Sequence, residues 1–257
     1  MPIKSKEPAP ISSKQTVSEA FATILKHNLD YLILWEKTAR SPKDIEGVHQ
    51  IRVSFRRMRS ALSLFQKVIP KSVTSLWNEE MRGLAGQLGL ARDLDVFIDE
   101  GLCSLANKLP LPGEGKLLDI ASDHRAKVYK EEVCAMLDSE RYSMFKTEFR
   151  YWFENRLWEK ELQEKKQQKK LSMNLVDFSR KLMDRQERRV LSAGSNIDKT
   201  SPKEMHKLRI ECKKLRYAAE FFIPIFTGMD VFIKHMKGLQ DLLGLMNDIA
   251  VMQHLLD

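Results

Sequence analysis

The chain has 257 residues, of which 43% are hydrophobic and 30% are charged, and this balance excludes an intrinsically disordered protein. Its formal net charge is +8, with 43 lysines and arginines against 35 acidic residues, which suits an anionic partner if the positive charge is clustered. The three cysteines show no C-x-x-C spacing, which argues against a disulfide framework or a zinc site.

The first 15 residues carry lysines and prolines but no apolar run, so we expect a disordered tail and no secretory signal. No later segment approaches the roughly 20 apolar residues that span a membrane. The protein is therefore expected in the cytoplasm, without membrane contact.

Helical periodicity dominates from about residue 16 onward, and no segment alternates like a strand. Thr16 and Ser201 each precede a glutamate by three residues, the spacing of a capping box, and Ser41-Pro42 resembles a further helix start. Breaks between helices are predicted at Pro70, residues 109–115, Gly194 and Gly228. The pattern predicts an all-α fold with more helices than a four-helix bundle.

Two stretches of the chain repeat the same helical pattern. Residues 48–53 align with residues 205–210, and both contain a histidine followed three residues later by an arginine. In the same order along the chain, residues 88–93 align with residues 243–248. Agreement over two successive helices indicates an internal duplication.

The duplication predicts a single domain over residues 16–257, built from two pseudo-symmetric helical bundles with a basic groove between them. Repeat one is expected at about residues 16–155 and repeat two at about residues 165–257, with repeat two abridged at its C-terminal end. Four glycines at matching positions are expected to permit close helix packing: Gly83, Gly89, Gly238 and Gly244.

The repeated helix carries a row of basic residues along one face. On a helical wheel the members of each row fall within about 80° of its histidine. Stripe one consists of His49, Arg52, Arg56 and Arg59. Stripe two consists of His206, Arg209, Lys213 and Arg216. Beside stripe one runs an apolar row that we predict to face the core: Ile51, Phe55, Met58, Leu62 and Phe65.

Like charges three or four residues apart on a helix repel each other, so such rows need acidic neighbours or an anionic ligand. Residues 48–62 contain no Asp or Glu, and only Glu211 and Glu220 are available to stripe two. Arginine binds phosphate oxygens through two parallel N–H bonds, and a row about 15 Å long suits a chain of phosphates better than one small anion. The alternative interpretation is an ordinary exposed basic face.

His49 and His206 have three interpretations: anion contact, a structural hydrogen bond or metal ligation. Anion contact is favoured over metal ligation because the neighbouring arginines repel a cation. Asp93 and Asp95 together could hold Mg²⁺, but repeat two keeps only Asp248, the counterpart of Asp93. We therefore expect Asp93 and Asp248 to orient arginines or to cap a helix.

These motifs resemble the CHAD family, the conserved-histidine α-helical domain. The resemblance rests on the basic pattern of residues 49–59, on the L-G-x-x-R-D-x-D-V run of residues 88–96, and on the second basic pattern of residues 206–216. It covers the chain from about residue 16. It implies two pseudo-symmetric helical bundles with a basic central surface, and binding of inorganic polyphosphate.

The stripes and the resemblance together predict a protein that binds inorganic polyphosphate in a central basic groove without hydrolysing it, in the cytoplasm or at polyphosphate granules. We expect no catalytic residue, cofactor or metal. Two alternatives remain open: a metal-dependent phosphohydrolase acting on polyphosphate or phosphate esters, and a nucleic-acid-binding protein, although the stripes carry no aromatic side chains on which bases stack. The predicted polyphosphate-binding residues are His49, Arg52, Arg56, Arg57, Arg59, Arg82, His206, Arg209, Lys213, Lys214, Arg216 and Lys237.

Overall fold

The structure is a computed structural model that describes residues 7–103, 113–162, 164–198 and 201–256, without the side chains of residues 100, 114 and 245–256. Within these ranges every regular element is a helix, and one isolated antiparallel bridge joins Thr16 to Asn174. The prediction of an all-α fold is therefore confirmed for this part of the chain. No helix in it is both long enough and apolar enough to cross a membrane.

Two compact units divide the chain. The central unit consists of Leu25–Arg59 and Lys71–Trp158. The terminal unit consists of Met1–Ile24, Ser60–Pro70 and Glu159–Asp257. Stripe one therefore belongs to the central unit and stripe two to the terminal unit. The duplication and the groove between the bundles stay predictions.

The first half of the chain forms long helices interrupted by two π-helical segments. Its elements are α1 (Val17–Ala39), α2 (Glu46–Leu64), α3 (Lys71–Gln87), α4 (Gly89–Asp95), π1 (Val96–Leu102), α5 (Glu114–Val128), π2 (Tyr129–Cys134), α6 (Ala135–Asp138) and α7 (Glu140–Glu154). The second half continues with α8 (Trp158–Glu161), α9 (Lys165–Leu171), α10 (Leu175–Gly194), α11 (Pro202–Phe222) and α12 (Met229–Leu256). Stripe one lies on α2, and stripe two lies on α11.

The capping box at the start of α1 forms as predicted. The backbone N–H of Thr16 donates to Glu19 Oε2 over 2.9 Å, and that of Glu19 donates to Thr16 Oγ1 over 3.3 Å. At the start of α11 only half of the box forms: the N–H of Glu204 donates to Ser201 Oγ, but Glu204 Oε2 accepts from the N–H of Asp198 over 2.9 Å. The Glu204 carboxylate therefore accepts from the loop that precedes the helix, at Asp198, instead of from the N-cap residue.

Two expectations about the first 46 residues are wrong. Helix α2 begins at Glu46 and not after Ser41-Pro42, because the Asp44 carboxylate accepts from the backbone N–H of Glu46 over 3.1 Å and marks the helix start. Residues 1–6 of the expected disordered tail lie outside the described residues, but Ala9 and Ile11 are buried. Burial of these apolar side chains is incompatible with disorder at their positions.

The core of the central unit is aromatic. Phe55, on the apolar row of α2, lies 5.8 Å from Phe145, measured between ring centroids. Trp77 of α3 lies 5.1 Å from Phe149 and 5.7 Å from Trp152. Large rings in such tilted contacts bury much apolar area and fix the rotation of α2, and hence the direction of stripe one.

The terminal unit has a smaller aromatic group and a methionine-rich cluster. Phe65 contacts Phe21 and Phe178, each at a centroid distance of 5.0 Å. The cluster behind stripe two consists of Met205, Cys212, Leu215, Met236 and Leu243. The predicted core row Ile51, Phe55, Met58, Leu62 and Phe65 is buried throughout, which confirms the apolar face of α2.

Candidate functional site

Stripe one is held partly below the surface by α3 and the residues that follow it. His49, Arg52 and Arg59 are half-buried, whereas Arg56 is exposed. Arg52 Nη1 donates to the carbonyl oxygen of Ala85 over 2.7 Å. Arg59 Nε donates to Asn78 Oδ1 over 3.0 Å. Both of these hydrogen bonds fix a guanidinium with an uncharged acceptor, so they position the positive charge without neutralising it.

Burial and like charges both destabilise the protonated form of Arg52 and Arg59 in stripe one. Burial lowers the pKa of Arg52, as do the nearby charges of Arg56 and Arg92, while the carboxylate of Asp93 acts in the opposite direction. Burial and the charge of Arg82 lower the pKa of Arg59. Arginine nevertheless stays protonated, so the protein holds these charges at an energetic cost that an anion would offset.

Stripe two carries its own carboxylates. Arg216 forms an ion pair with Glu220, one turn further along α11, and its Nε donates to Gln240 Oε1 over 2.8 Å. Lys214 forms an ion pair with Glu211 at 2.6 Å. Of the two glutamates that the sequence offered, Glu220 thus pairs with a member of stripe two, whereas Glu211 pairs with Lys214 beside the stripe. His206 and Lys237 are exposed, and Arg209, Lys213, Lys214 and Arg216 are half-buried.

The first arginine of each stripe lies against a glycine, and the two glycines align in the predicted repeat. A β-carbon built on Gly89 would lie 3.7 Å from Arg52 Nη1, and one built on Gly244 would lie 3.6 Å from Arg209 Nη2. The expectation that these glycines permit close helix packing is therefore wrong: of the described atoms, the nearest at both sites belong to a guanidinium. A β-carbon built on Gly238 would have no described atom within 4 Å.

The acidic motif after α3 has a structural role at Asp95. The Asp95 carboxylate is fully buried, accepts from the Tyr129 hydroxyl over 2.8 Å, and lies 3.8 Å from Arg125 Nη1. Burial raises its pKa, and the Tyr129 hydrogen bond and the neighbouring arginines act in the opposite direction. Asp93 is exposed, and the charge of its carboxylate raises the pKa of Arg52. Its expected role in orienting an arginine stays a prediction.

The second acidic position, Asp248, lies outside the residues whose side chains are described. Among the side chains that are described, no three His, Cys, Asp or Glu residues lie together as a metal site would require. Sequence reasoning missed Asn78, Gln240 and Tyr129, the neutral partners of Arg59, Arg216 and Asp95. They are 19, 24 and 34 residues away from those partners, and no local pattern reveals such pairs.

The family model described as CHAD domain matches residues 23–257. The chain belongs to the CHAD domain family. Both stripes and the acidic motif lie inside the matched region. The resemblance that the motifs indicated is confirmed.

Solved structures agree with this assignment. The crystal structure of the CHAD domain from the plant Ricinus communis is similar over 98% of this chain and 83% of its own, with a TM-score of 0.78 and 26% identity. PptA from Streptomyces chartreusis is similar over 87% of this chain and 81% of its own, with a TM-score of 0.54 and 14% identity. The second likeness concerns the fold alone.

Two uncharacterized proteins of Mycobacterium tuberculosis, MT2285 and Rv2226, are each 25% identical to this chain over 231 residues. The matched region covers 88% of this chain and 43% of each of those proteins. The chain therefore spans less than half the length of these curated relatives.

Proposed function

We propose that this CHAD domain binds inorganic polyphosphate through stripes one and two and does not hydrolyse it. The observation that carries the proposal is the state of Arg52 and Arg59. Both are half-buried, both have a pKa lowered by burial and like charges, and both donate to neutral acceptors. The Asp93 carboxylate offsets part of the positive charge at Arg52, and an anion at this surface would offset the rest.

A phosphate chain matches the geometry of a stripe better than a single phosphate does. Arg52 and Arg59 are seven residues apart, or about 10 Å along α2, so one small anion does not reach both. Successive phosphates of a chain meet successive arginines, and each guanidinium offers two parallel N–H donors to phosphate oxygens. The matched contacts of Arg52 with Gly89 and of Arg209 with Gly244 support a common role for the two stripes.

Binding without hydrolysis is supported by what the acidic motif already contacts. Asp95 accepts from Tyr129 in a fully buried position, and Asp93 acts on Arg52. The Asp95 carboxylate is thus engaged inside the fold, and the Asp93 carboxylate is expected to orient Arg52. Polyphosphate incubated with the protein and Mg²⁺ or Mn²⁺ should keep its chain length, whereas shortening that is lost in Asp93→Ala would establish a hydrolase.

The experiment that tests the proposal is a salt-titrated binding assay with long-chain polyphosphate. We expect Arg52→Glu/Arg209→Glu to lose nearly all binding, and the wild-type affinity to fall steeply as salt increases. The matched control is Lys127→Glu/Arg180→Glu, which changes the net charge equally by replacing one exposed basic residue in each unit. Equal loss in both double variants, or equal affinity of the wild type for RNA of matched charge, would defeat the proposal.

A further inference from the structure

The terminal unit contains a second basic site that shares no residue with the stripes. An open pocket with a volume of about 660 Å³ lies at α10 and α11, and one further lining residue comes from the segment after α2. Its volume falls within the range of ordinary ligand sites. Its basic lining residues are Lys67, Lys181, Arg185, Arg188, Arg189 and Lys207.

The pocket lies on a different face of α11 from stripe two. At about 100° per residue, Lys207 and Glu211 are about 100° and 140° from His206 in one direction around the helix. Arg209 and Arg216 are about 60° and 80° from His206 in the other direction. One ligand therefore does not reach both faces without wrapping around α11, and the pocket is a separate site.

The charges in the pocket are poorly balanced. Glu211 is its one carboxylate, and this group already accepts from Lys214 over 2.6 Å. None of the six basic residues forms an ion pair with a carboxylate in the described part of the chain. Lys181, Arg185 and Arg189 follow one another at intervals of four residues on α10, an arrangement in which like charges repel.

Arg185 shows the cost of this arrangement most directly. It is half-buried, and both burial and the charge of Arg189 lower its pKa. Arg188 is turned back toward its own helix, where its Nε donates to the carbonyl oxygen of Asp184 over 3.1 Å. The pocket thus keeps unneutralised cations beside one another, and an anion seated among them would relieve the repulsion.

We propose that this pocket binds a compact oligophosphate, of the size and charge of inorganic tripolyphosphate, independently of the stripes. Arginine forks bind phosphate oxygens in pairs, and lysine supplies point charges around them. The lining contains no aromatic side chain, so bases have no surface on which to stack and a nucleic-acid ligand is disfavoured. The pocket is open but of limited volume, about 660 Å³, which suits a short phosphate chain.

The experiment is isothermal titration calorimetry with tripolyphosphate at fixed ionic strength, in the wild type and in the stripe variant Arg52→Glu/Arg209→Glu. The stripe variant should keep one tripolyphosphate site. Adding Arg189→Gln/Lys207→Gln, which changes two exposed lining residues, should weaken that site at least about tenfold. The matched control Arg180→Gln/Lys203→Gln removes one exposed arginine of α10 and one exposed lysine of α11 outside the lining, and should leave affinity within about twofold.

The proposal is overturned if the stripe variant binds no tripolyphosphate while its melting temperature matches that of the wild type. It is also overturned if the pocket pair and the control pair lose affinity equally. Measuring both pairs in the wild-type background repeats the comparison in case the stripe variant folds poorly. Failure of the proposed polyphosphate function would appear as undiminished long-chain binding in the stripe variant, which is a different result from either of these.

Discussion

Stripes one and two have nearly the same sequence but different partners. In stripe one, Arg52 and Arg59 donate to the carbonyl of Ala85 and the amide of Asn78, which are neutral. In stripe two, Arg216 is paired with the carboxylate of Glu220, and the adjoining Lys214 is paired with that of Glu211. A basic pattern in a sequence therefore does not fix the amount of positive charge available to a ligand.

This difference predicts that the two units contribute unequally to stability and to ligand binding. The ion pair of Arg216 with Glu220 is largely shielded from solvent, so it contributes to the stability of the terminal unit and less to ligand binding. In the described part of the chain, the guanidinium of Arg59 has no such carboxylate partner, since its acceptor is the Asn78 amide, and its charge is available to an anion. We therefore expect the central unit to provide more of the polyphosphate affinity.

The largest expected effect is on stability. Glu220→Ala should lower the free energy of unfolding by about 3 kcal/mol, because it leaves the half-buried Arg216 without its carboxylate. The matched change in stripe one, Asn78→Ala, should cost about 1 kcal/mol, since it removes one hydrogen bond to a neutral acceptor. Urea unfolding of both variants measures the difference, and equal costs would mean that the two stripes are held in the same way.

The next effect is on affinity. Arg59→Gln should weaken polyphosphate binding about tenfold, because it removes a charge that no carboxylate pairs with in the described part of the chain. The equivalent change in stripe two, Arg216→Gln, should weaken binding only about threefold, because much of that charge is already neutralised by Glu220. Both are measured below the melting temperature of each variant. A larger loss in Arg216→Gln than in Arg59→Gln would reverse the comparison.

Sequence periodicity predicted a good part of this arrangement. It correctly identified the buried row of α2 around Phe55 and the pairing of stripe two with Glu220, because both depend on spacing along one helix. It could not identify Asn78 or Gln240, because these partners come from the next helix and their contacts depend on how helices pack. Nor did it identify the pocket, because the basic residues of α10 have the pattern of an ordinary solvated face.

A further difference concerns Asp95, whose equivalent position in the predicted second repeat is occupied by Ala250. Tyr129→Phe should lower the free energy of unfolding by about 1 kcal/mol at neutral pH, because it removes the hydroxyl that donates to the buried Asp95 carboxylate. The folded-state pKa of Asp95 is raised above its ordinary value of 3.8, so its contribution to stability is present below that pH and is lost as pH rises through the folded pKa.

The hydrogen bond from Tyr129 limits this rise in the pKa of Asp95. Tyr129→Phe should therefore raise that pKa further and increase the stability that is lost at higher pH. The destabilisation of Tyr129→Phe relative to the wild type, measured by urea unfolding, should accordingly grow from about pH 4 toward neutral pH. The control is Tyr151→Phe at an exposed tyrosine, which should change stability little at any pH. A cost for Tyr129→Phe that is the same at pH 4 and pH 7 would show that the hydroxyl does not act on an ionising carboxyl group.

The smallest effect separates two glycines that occupy matching positions, Gly83 and Gly238. Gly238→Ala should raise the free energy of unfolding by about 0.5–1 kcal/mol, because alanine favours the helix and no described atom lies within 4 Å of the new β-carbon. Gly83→Ala should gain less, because its β-carbon would lie 2.7 Å from Arg141 Nη2. That guanidinium would have to move and weaken its exposed ion pair with Glu80, a pair worth at most about 1 kcal/mol. Equal gains in urea unfolding would mean that Arg141 moves aside without loss, whereas a loss in Gly238→Ala would mean that this face of α12 is packed in solution.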